Sequence, residues 1–314
     1  MIQITNEQME SILSYKRLIP CLKEAFTKDY NLPKRHHHQY PNPKEGNEST
    51  LLLMPAWDDD TNMGVKIVNV TPDNAKYDLP TIQGLYLLFD LPTGSPKAQM
   101  DAKLLTAKRT AASSALASSF LSKKESNSML MIGTGTLCRE LIMAHTTVRP
   151  LKDIYIWGRN HKKATAIADS LKIEGVSITA VDSIEEKISS VDIVSCATLS
   201  PTALVLGSYI KPGQHYDMIG AYKPDMREAD DRFISSVDIF VDSYEGASKE
   251  TGDLAIPIAE ETITMEDLRA SLFELCRNLK PGRENNEQIT CFKSVGHSLE
   301  DLAAASLVYN EIIK

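Results

Sequence analysis

Between residues 102 and 122 the apolar side chains of Leu104, Leu105, Ala111, Ala112, Ala115, Leu116 and Phe120 recur at helical spacing, and alanine, the best helix former, is abundant. One long helix is predicted there, and the chain follows a different rhythm on either side of it. Before it, residues 7–15 and 18–27 read as short helices. Residues 51–55, 64–70 and 84–90 alternate or cluster strand formers, with Asp73-Asn74 and Pro92-Thr93-Gly94 as turns. That is an α+β segment. After it, short apolar runs at 129–132, 154–157, 176–181, 192–196, 216–219 and 239–241 alternate with stretches long enough for crossover helices. This is the pattern of a Rossmann-type, doubly wound parallel α/β sheet. A further strand at 289–292 precedes Ser298-Leu299-Glu300-Asp301, which resembles a capping box with an acid at its fourth place. A last helix then runs to Lys314 with Leu302, Ala305, Leu307, Val308 and Ile312 on its apolar side.

Composition narrows the class. The 314 residues exceed what one ordinary core organises, so two domains or one split by an insertion are expected. Lysine and arginine number 34 against 42 acids, a formal charge of −8, and no basic block stands out, which argues against nucleic acid as a partner. No apolar run approaches the roughly 18 residues of a bilayer span, and the first residues lack a secretory pattern, so a cytoplasmic protein is expected. The cysteines (Cys21, Cys138, Cys196, Cys276, Cys291) are odd in number and scattered, as reduced thiols are.

The sharpest chemical signal is Gly133-Thr134-Gly135-Thr136-Leu137-Cys138, which follows a strand and opens a helix. Gly133 permits a tight turn, Gly135 lets the backbone approach a pyrophosphate, and the helix N-terminus offers free N–H groups to the anion. Cys138 stands where a third small residue is usual. Sites that prefer NAD carry an acid at the end of the second strand, about 20 residues on. Here Gly158 holds that slot and Arg159-Asn160 follow it. An arginine fork pairs with a 2′-phosphate that a carboxylate would repel, so NADPH is the expected cofactor, with NADH as the alternative. The plainer reading of Arg159 is a solvated surface charge.

Lys66 lies mid-strand among Val65, Ile67 and Val68, where burial requires an anion to meet it; otherwise it points to solvent. A buried lysine also exchanges protons readily, which suits work at an imine nitrogen. His36-His37-His38 alternate faces in an extended chain, so no metal is assigned. Serine-hydrolase, zinc-protease and P-loop motifs are absent from the sequence, and a hydride enzyme needs none of them.

Several motifs in order resemble the ornithine cyclodeaminase and mu-crystallin family over nearly the whole chain. They are Met54-Pro55-Ala56 with Gly64-Val65-Lys66, Leu79-Pro80-Thr81, Met100-Asp101, and Leu105-Thr106-Ala107-Lys108-Arg109-Thr110-Ala111-Ala112. The glycine turn, Gly220-Ala221-Tyr222-Lys223-Pro224-Asp225-Met226-Arg227-Glu228, Glu250-Thr251-Gly252-Asp253 and Phe292-Lys293-Ser294-Val295-Gly296 continue the series. The resemblance implies a homodimer whose substrate and dimerisation domain, residues 1–116 plus 298–314, surrounds an inserted dinucleotide-binding domain, residues 117–297. It implies a substrate carboxylate held by Arg35, Lys66 and Arg109. It implies a cofactor met by Thr81, Thr110, Gly133, Gly135, Thr136, Leu137, Arg159, Asn160, Thr198, Leu199, Gly220, Ala221, Tyr222 and Ser294. Lys66 is the expected catalytic group, with Asp301 as a helper.

One departure separates the family's activities. Cyclodeaminases carry Gly-Gly-Asp where this chain reads Gly220-Ala221-Tyr222, and Asp225, three residues on, is too far along a tight loop to replace that acid. The stretch resembles the ketimine reductase branch instead. The expected reaction is therefore NAD(P)H-dependent reduction of a cyclic imino acid, Δ1-pyrroline-2-carboxylate to L-proline, and also Δ1-piperideine-2-carboxylate to L-pipecolate. The rivals are an ornithine or lysine cyclodeaminase with internally recycled NAD, an alanine-type dehydrogenase of an open-chain substrate, and a non-catalytic NADPH-dependent ligand-binding protein.

Overall fold

The computed structural model describes residues 1–43 and 46–314. The chain divides into two compact units, Met1–Thr110 with His297–Lys314, and Ala111–Gly296. The first division falls inside the long helix, six residues before the expected 116/117 boundary, and the second falls one residue before the expected 297/298.

The first unit runs β1 (Ile2–Gln3), α1 (Asn6–Ile12), α2 (Tyr15–Thr27), β2 (His36–Tyr40), β3 (Ser49–Trp57), β4 (Asn62–Val70), β5 (Ile82–Asp90) and β6 (Pro96–Asp101). It then enters α3 (Ala102–Leu121), which carries the chain onward. The six strands form one sheet in the order β1-β6-β5-β4-β3-β2, antiparallel except for β1 against β6. Burial alternates along β4, with Asn62, Gly64, Lys66, Val68 and Val70 inside and the residues between them half-buried or exposed. That is the signature of a sheet covered on one face. Lys66 is therefore on the covered face and not the solvent face.

The second unit runs β7 (Ser128–Ile132), α4 (Leu137–Val148), β8 (Asp153–Trp157), α5 (His161–Ser170), β9 (Ser177–Ala180), β10 (Ile193–Cys196) and β11 (His215–Met218). It continues through α6 (Asp231–Ile234), β12 (Asp238–Val241), α7 (Tyr244–Glu250), α8 (Gly252–Ala259), β13 (Leu268–Ser271), α9 (Leu272–Cys276) and β14 (Thr290–Lys293). Every pairing is parallel, in the order β13-β12-β14-β11-β10-β7-β8-β9. From β7 the chain winds one way through β8 and β9 and the other way from β10, so the topological switch lies between β7 and β10. Ligands of such sheets bind at that switch, beyond the carboxyl ends of the strands. Leu130, Ile132, Val194, Tyr216, Met218 and Val241 are fully enclosed in its core.

The last helix, α10 (Ser298–Ile312), returns to the first unit. Its N-cap is His297, whose ring nitrogen accepts from Leu299 N at 3.4 Å, so the expected box starting at Ser298 does not form. Glu300 and Asp301, in its first turn, lie fully buried. Among the described residues no helix is long and apolar enough to cross a membrane.

Candidate active site

In the first unit, three elements deliver four charged side chains to one buried cluster. The alternation of β4 turns Lys66 inward, α3 supplies Arg109, and the first turn of α10 supplies Glu300 and Asp301. Lys66 Nζ lies 2.7 Å from Asp301 Oδ2 and also donates to Thr106 Oγ1 at 3.4 Å. Arg109 Nε donates to Asp301 Oδ1 at 3.0 Å and Nη1 to Glu300 Oε2 at 2.6 Å. All four side chains are at most 5% exposed. Two cations meet two anions, so the desolvation of each is compensated by a partner.

The electrostatics follow from that packing. Burial pushes the Lys66 ammonium down to about 8, against the pull of Asp301, and the Arg109 charge adds to the fall. Burial would raise the Asp301 carboxyl, but Arg109 and Lys66 outweigh it and hold the pKa below the ordinary carboxylate value. Arg109 loses to burial and gains more from Asp301 and Glu300, and stays a cation. Lys66 is thus the one member of the cluster poised to exchange a proton near neutral pH. Arg35, just ahead of β2, is half-buried, and its charge also acts on Lys66. Thr110 follows Arg109 on α3 and is buried, whereas Thr81 is exposed before β5.

In the second unit the named residues gather at the carboxyl ends of neighbouring strands. Gly133 has φ +117°, and a Cβ there would lie 2.5 Å from the Ala197 carbonyl oxygen, across the switch at the end of β10, so only glycine is accommodated. Gly135 is exposed and a Cβ there would meet nothing within 4 Å, which leaves the loop open to a ligand. No side chain caps the α4 N-terminus at Thr136; the Cys138 N–H donates to the Gly135 carbonyl at 3.2 Å, and the rest of the turn faces an anion without a side-chain cap. Leu137 begins that helix. Cys138 is buried, and burial pushes its thiol up to about 12, so it acts as packing. Gly158 packs against the same loop, since a Cβ would lie 2.6 Å from Thr134 Cγ2; Arg159, next to it, is exposed. Asn160 has a structural task, because its side-chain oxygen caps α5 by accepting from Lys163 N at 3.2 Å.

The ends of β10 and β11 are tied by a residue the sequence placed in a motif without a role. Glu228, fully buried, accepts from Thr198 N at 2.7 Å, Thr198 Oγ1 at 2.8 Å, Gly220 N at 2.7 Å and Ala221 N at 3.1 Å. Its own N–H donates to Asp253 Oδ1 at 2.7 Å, and Asp253 Oδ2 lies 2.9 Å from Lys293 Nζ on β14. Burial raises the Glu228 carboxyl, Lys293 opposes the rise, and Asp253 adds to it. Beside them Asp242 accepts from Ser294 Oγ at 2.9 Å and from the N–H groups of Val295 and Gly296, each at 2.8 Å. Leu199 is 65% exposed, Ala221 is fully buried, and Tyr222, which stands where the Gly-Gly-Asp pattern has its acid, is half-buried.

The structure therefore joins Lys66, Arg109 and Asp301 in one ion-pair network. It sets the glycine turn, Arg159, Thr198, Leu199, Gly220, Ala221, Tyr222 and Ser294 at strand ends of one sheet. Sequence reasoning missed Glu300, Thr106, Glu228 and Asp253 as parts of these sites. Glu300 lay inside the stretch read as a capping box and was given no role there, and Glu228 and Asp253 are recognisable as acids inside motifs rich in glycine and turn residues. Among the described residues no three His, Cys, Asp or Glu side chains are grouped to hold a metal ion.

The model of the ornithine cyclodeaminase/mu-crystallin family matches residues 1–314. A Δ1-pyrroline-2-carboxylate reductase of Colwellia psychrerythraea is 36% identical over 98% of this chain and 98% of its own. The solved Δ1-pyrroline-2-carboxylate reductase of Thermococcus litoralis, in complex with NADH and L-proline, superposes with a TM-score of 0.92 at 32% identity, covering 100% of this chain and 98% of that one. An archaeal alanine dehydrogenase dimer with bound NAD superposes at 0.91 with 29% identity, over 100% of this chain and 96% of that one.

Proposed function

The chain belongs to the ornithine cyclodeaminase/mu-crystallin family, and from that membership we propose that it is an NAD(P)H-dependent reductase of cyclic imino acids. The principal substrate is Δ1-pyrroline-2-carboxylate, reduced to L-proline, and Δ1-piperideine-2-carboxylate, reduced to L-pipecolate, is the second. The observation that carries the reading is the buried Lys66–Asp301 pair at 2.7 Å beside Arg109. It supplies cations for a carboxylate and one proton-exchanging group in the same cluster.

Arg35, Lys66 and Arg109 hold the substrate carboxylate and so fix the orientation of the ring and its C=N bond. A reduced nicotinamide, when bound, supplies hydride to the imine carbon. The nitrogen then takes one proton, which Lys66 donates; Asp301 holds the ammonium in place, and solvent returns a proton to the Lys66 amine to close the cycle. The residues that would hold the dinucleotide are Gly133, Gly135, Thr136 and Leu137 at its pyrophosphate, and Thr198, Leu199, Gly220, Ala221, Tyr222 and Ser294 along the strand ends of the second unit. The uncapped start of α4 and the open side of Gly135 fit that anion. Exposed Arg159 in place of an acid favours NADPH over NADH. Tyr222 argues against cyclodeamination, which uses the acid that it replaces.

The protein acts as a homodimer in the cytoplasm. Support for the dimer comes from the second face of the six-stranded sheet. There Leu53, Ile67 and Leu85 align in register, as do Pro55, Val65 and Leu87, and Trp57, Met63 and Phe89. These side chains are half-buried or exposed, and a contiguous apolar face of this kind marks an association surface. The free cysteines accord with a reducing compartment.

The test is the initial rate of nicotinamide absorbance loss with Δ1-pyrroline-2-carboxylate, run with NADPH and NADH in parallel, beside an ammonia assay with ornithine and NAD. Reduction that is faster with NADPH is expected. Faster reduction with NADH overturns the role of Arg159. Ammonia release without reduction overturns the reaction in favour of cyclodeamination, and silence in both arms turns the choice to an open-chain dehydrogenase or a ligand-binding protein.

A further inference from the structure

Tyr86 stands on β5 directly opposite Lys66 in register, so both side chains leave the covered face of the sheet. Its ring leans across Gly64, where a Cβ would lie 2.0 Å from the phenol oxygen and 2.6 Å from Cζ. The glycine of the Gly64-Val65-Lys66 motif thus admits this ring. The residue is 1% exposed, and its hydroxyl has no hydrogen-bond partner among the described residues. A phenylalanine would fill the same space without burying a polar atom, so the hydroxyl calls for an explanation.

Asp301 provides one. After burial itself, its negative charge is what pushes the phenol pKa well above the ordinary tyrosine value. Each oxygen of that carboxylate is met by one cation, Oδ1 by Arg109 and Oδ2 by Lys66, and a carboxylate offers about four acceptor positions. Of the charged groups, Asp301 from α10 acts on the phenol, and those acting on the Lys66–Asp301 pair are Arg109 from α3, Glu300 from α10 through Arg109, and Arg35 ahead of β2.

Resting on the reading of Lys66 as proton donor, we infer that Tyr86 is a positioning residue whose hydroxyl donates to Asp301 through one bridging water, and so fixes the carboxylate that orients Lys66. The positive end of the O–H dipole then faces the pair and makes both members release protons more easily. Without the hydroxyl, Asp301 draws the Lys66 proton more strongly and the ammonium persists to higher pH.

The test is Tyr86→Phe, which leaves no cavity, in the full-length protein. Its thermal midpoint without ligands is expected to fall by a few degrees, because an engaged hydroxyl is lost; an equal or higher midpoint means the hydroxyl was idle and overturns the inference. The alkaline limb of kcat/KM for Δ1-pyrroline-2-carboxylate is expected to move up by about half a pH unit, with KM for NADPH unchanged. A lower midpoint with coincident pH profiles also overturns the positioning role, since the hydroxyl would then stabilise without acting on Lys66. Absence of imino-acid reduction by the unsubstituted protein defeats the reading of Lys66 as proton donor, and the midpoint alone then decides whether the hydroxyl is engaged.

Discussion

At the scale of single residues, the behaviour of Lys66 is set by an imbalance between burial and pairing. Burial drives its pKa down by more than Asp301 lifts it, and the outcome is about 8. Asp301→Asn removes the lifting charge and keeps the shape of the side chain. The Lys66 ammonium then loses its proton at lower pH, so the alkaline limb of the activity profile is expected to shift toward acid, opposite in direction to the effect of Tyr86→Phe. Turnover at neutral pH falls at least tenfold, because general acid catalysis of this kind contributes about 100-fold or more. A pH series of initial rates checks both, and an unmoved limb would separate Asp301 from the titration of Lys66. The stability cost is substantial too: breaking a buried ion pair on one side costs about 3–5 kcal/mol.

Among elements, the strands and helices that sequence patterning found are those whose apolar residues dominate. The parallel strands of the second unit were legible because both faces are buried, and α3 because of its alanines. Three strands were not. β2 is an edge that reads His-His-His-Gln-Tyr and is exposed throughout, β6, between β1 and β5, begins at a proline and has few apolar residues, and β13 is a four-residue edge, so none of the three stood out by hydrophobicity. The cations of the site were legible as charges lacking a reason. Glu300 was not, because an acid in the first turn of a helix is what the helix dipole favours anyway. Glu228 could be seen in its motif, but its task is to join two strand ends that are 22 residues apart in register, Ser195 with Asp217 being paired neighbours just before them. Glu228→Ala leaves four donors at those ends without their acceptor. Weaker dinucleotide binding, at least tenfold by fluorescence titration with NADPH, and a lower melting midpoint are expected. Unchanged affinity would mean that these loops keep their form without it.

The molecule as a whole combines two units with different vulnerabilities. In the second, His215 is fully buried, with Nδ1 3.0 Å from Thr290 Oγ1. Burial first, then the charges of His145, Arg283 and Arg149, hold its pKa well below 6.5. The folded state therefore binds fewer protons than the unfolded one, and the stability this confers is complete above 6.5 and is lost as pH falls through the folded value. Melting midpoints are expected to drop steadily from pH 7 to 5, and the slope to flatten in His215→Asn. In the first unit the exposed liability is the apolar sheet face, and the proposed dimer is what covers it. Ile67 is the test position, because it sits in the middle of the Leu53–Ile67–Leu85 row and its side chain points away from Lys66. Ile67→Asp places a carboxylate where a second copy would exclude water, a cost of several kcal/mol if the face is paired and almost none if it is wet. Elution at the mass of one chain, with near-normal far-ultraviolet circular dichroism, is expected of the variant against elution at twice that mass for the unsubstituted protein. If both elute as dimers, the copies associate through another surface; if the unsubstituted protein is itself a monomer, this face is solvated and no second copy is needed to complete the unit.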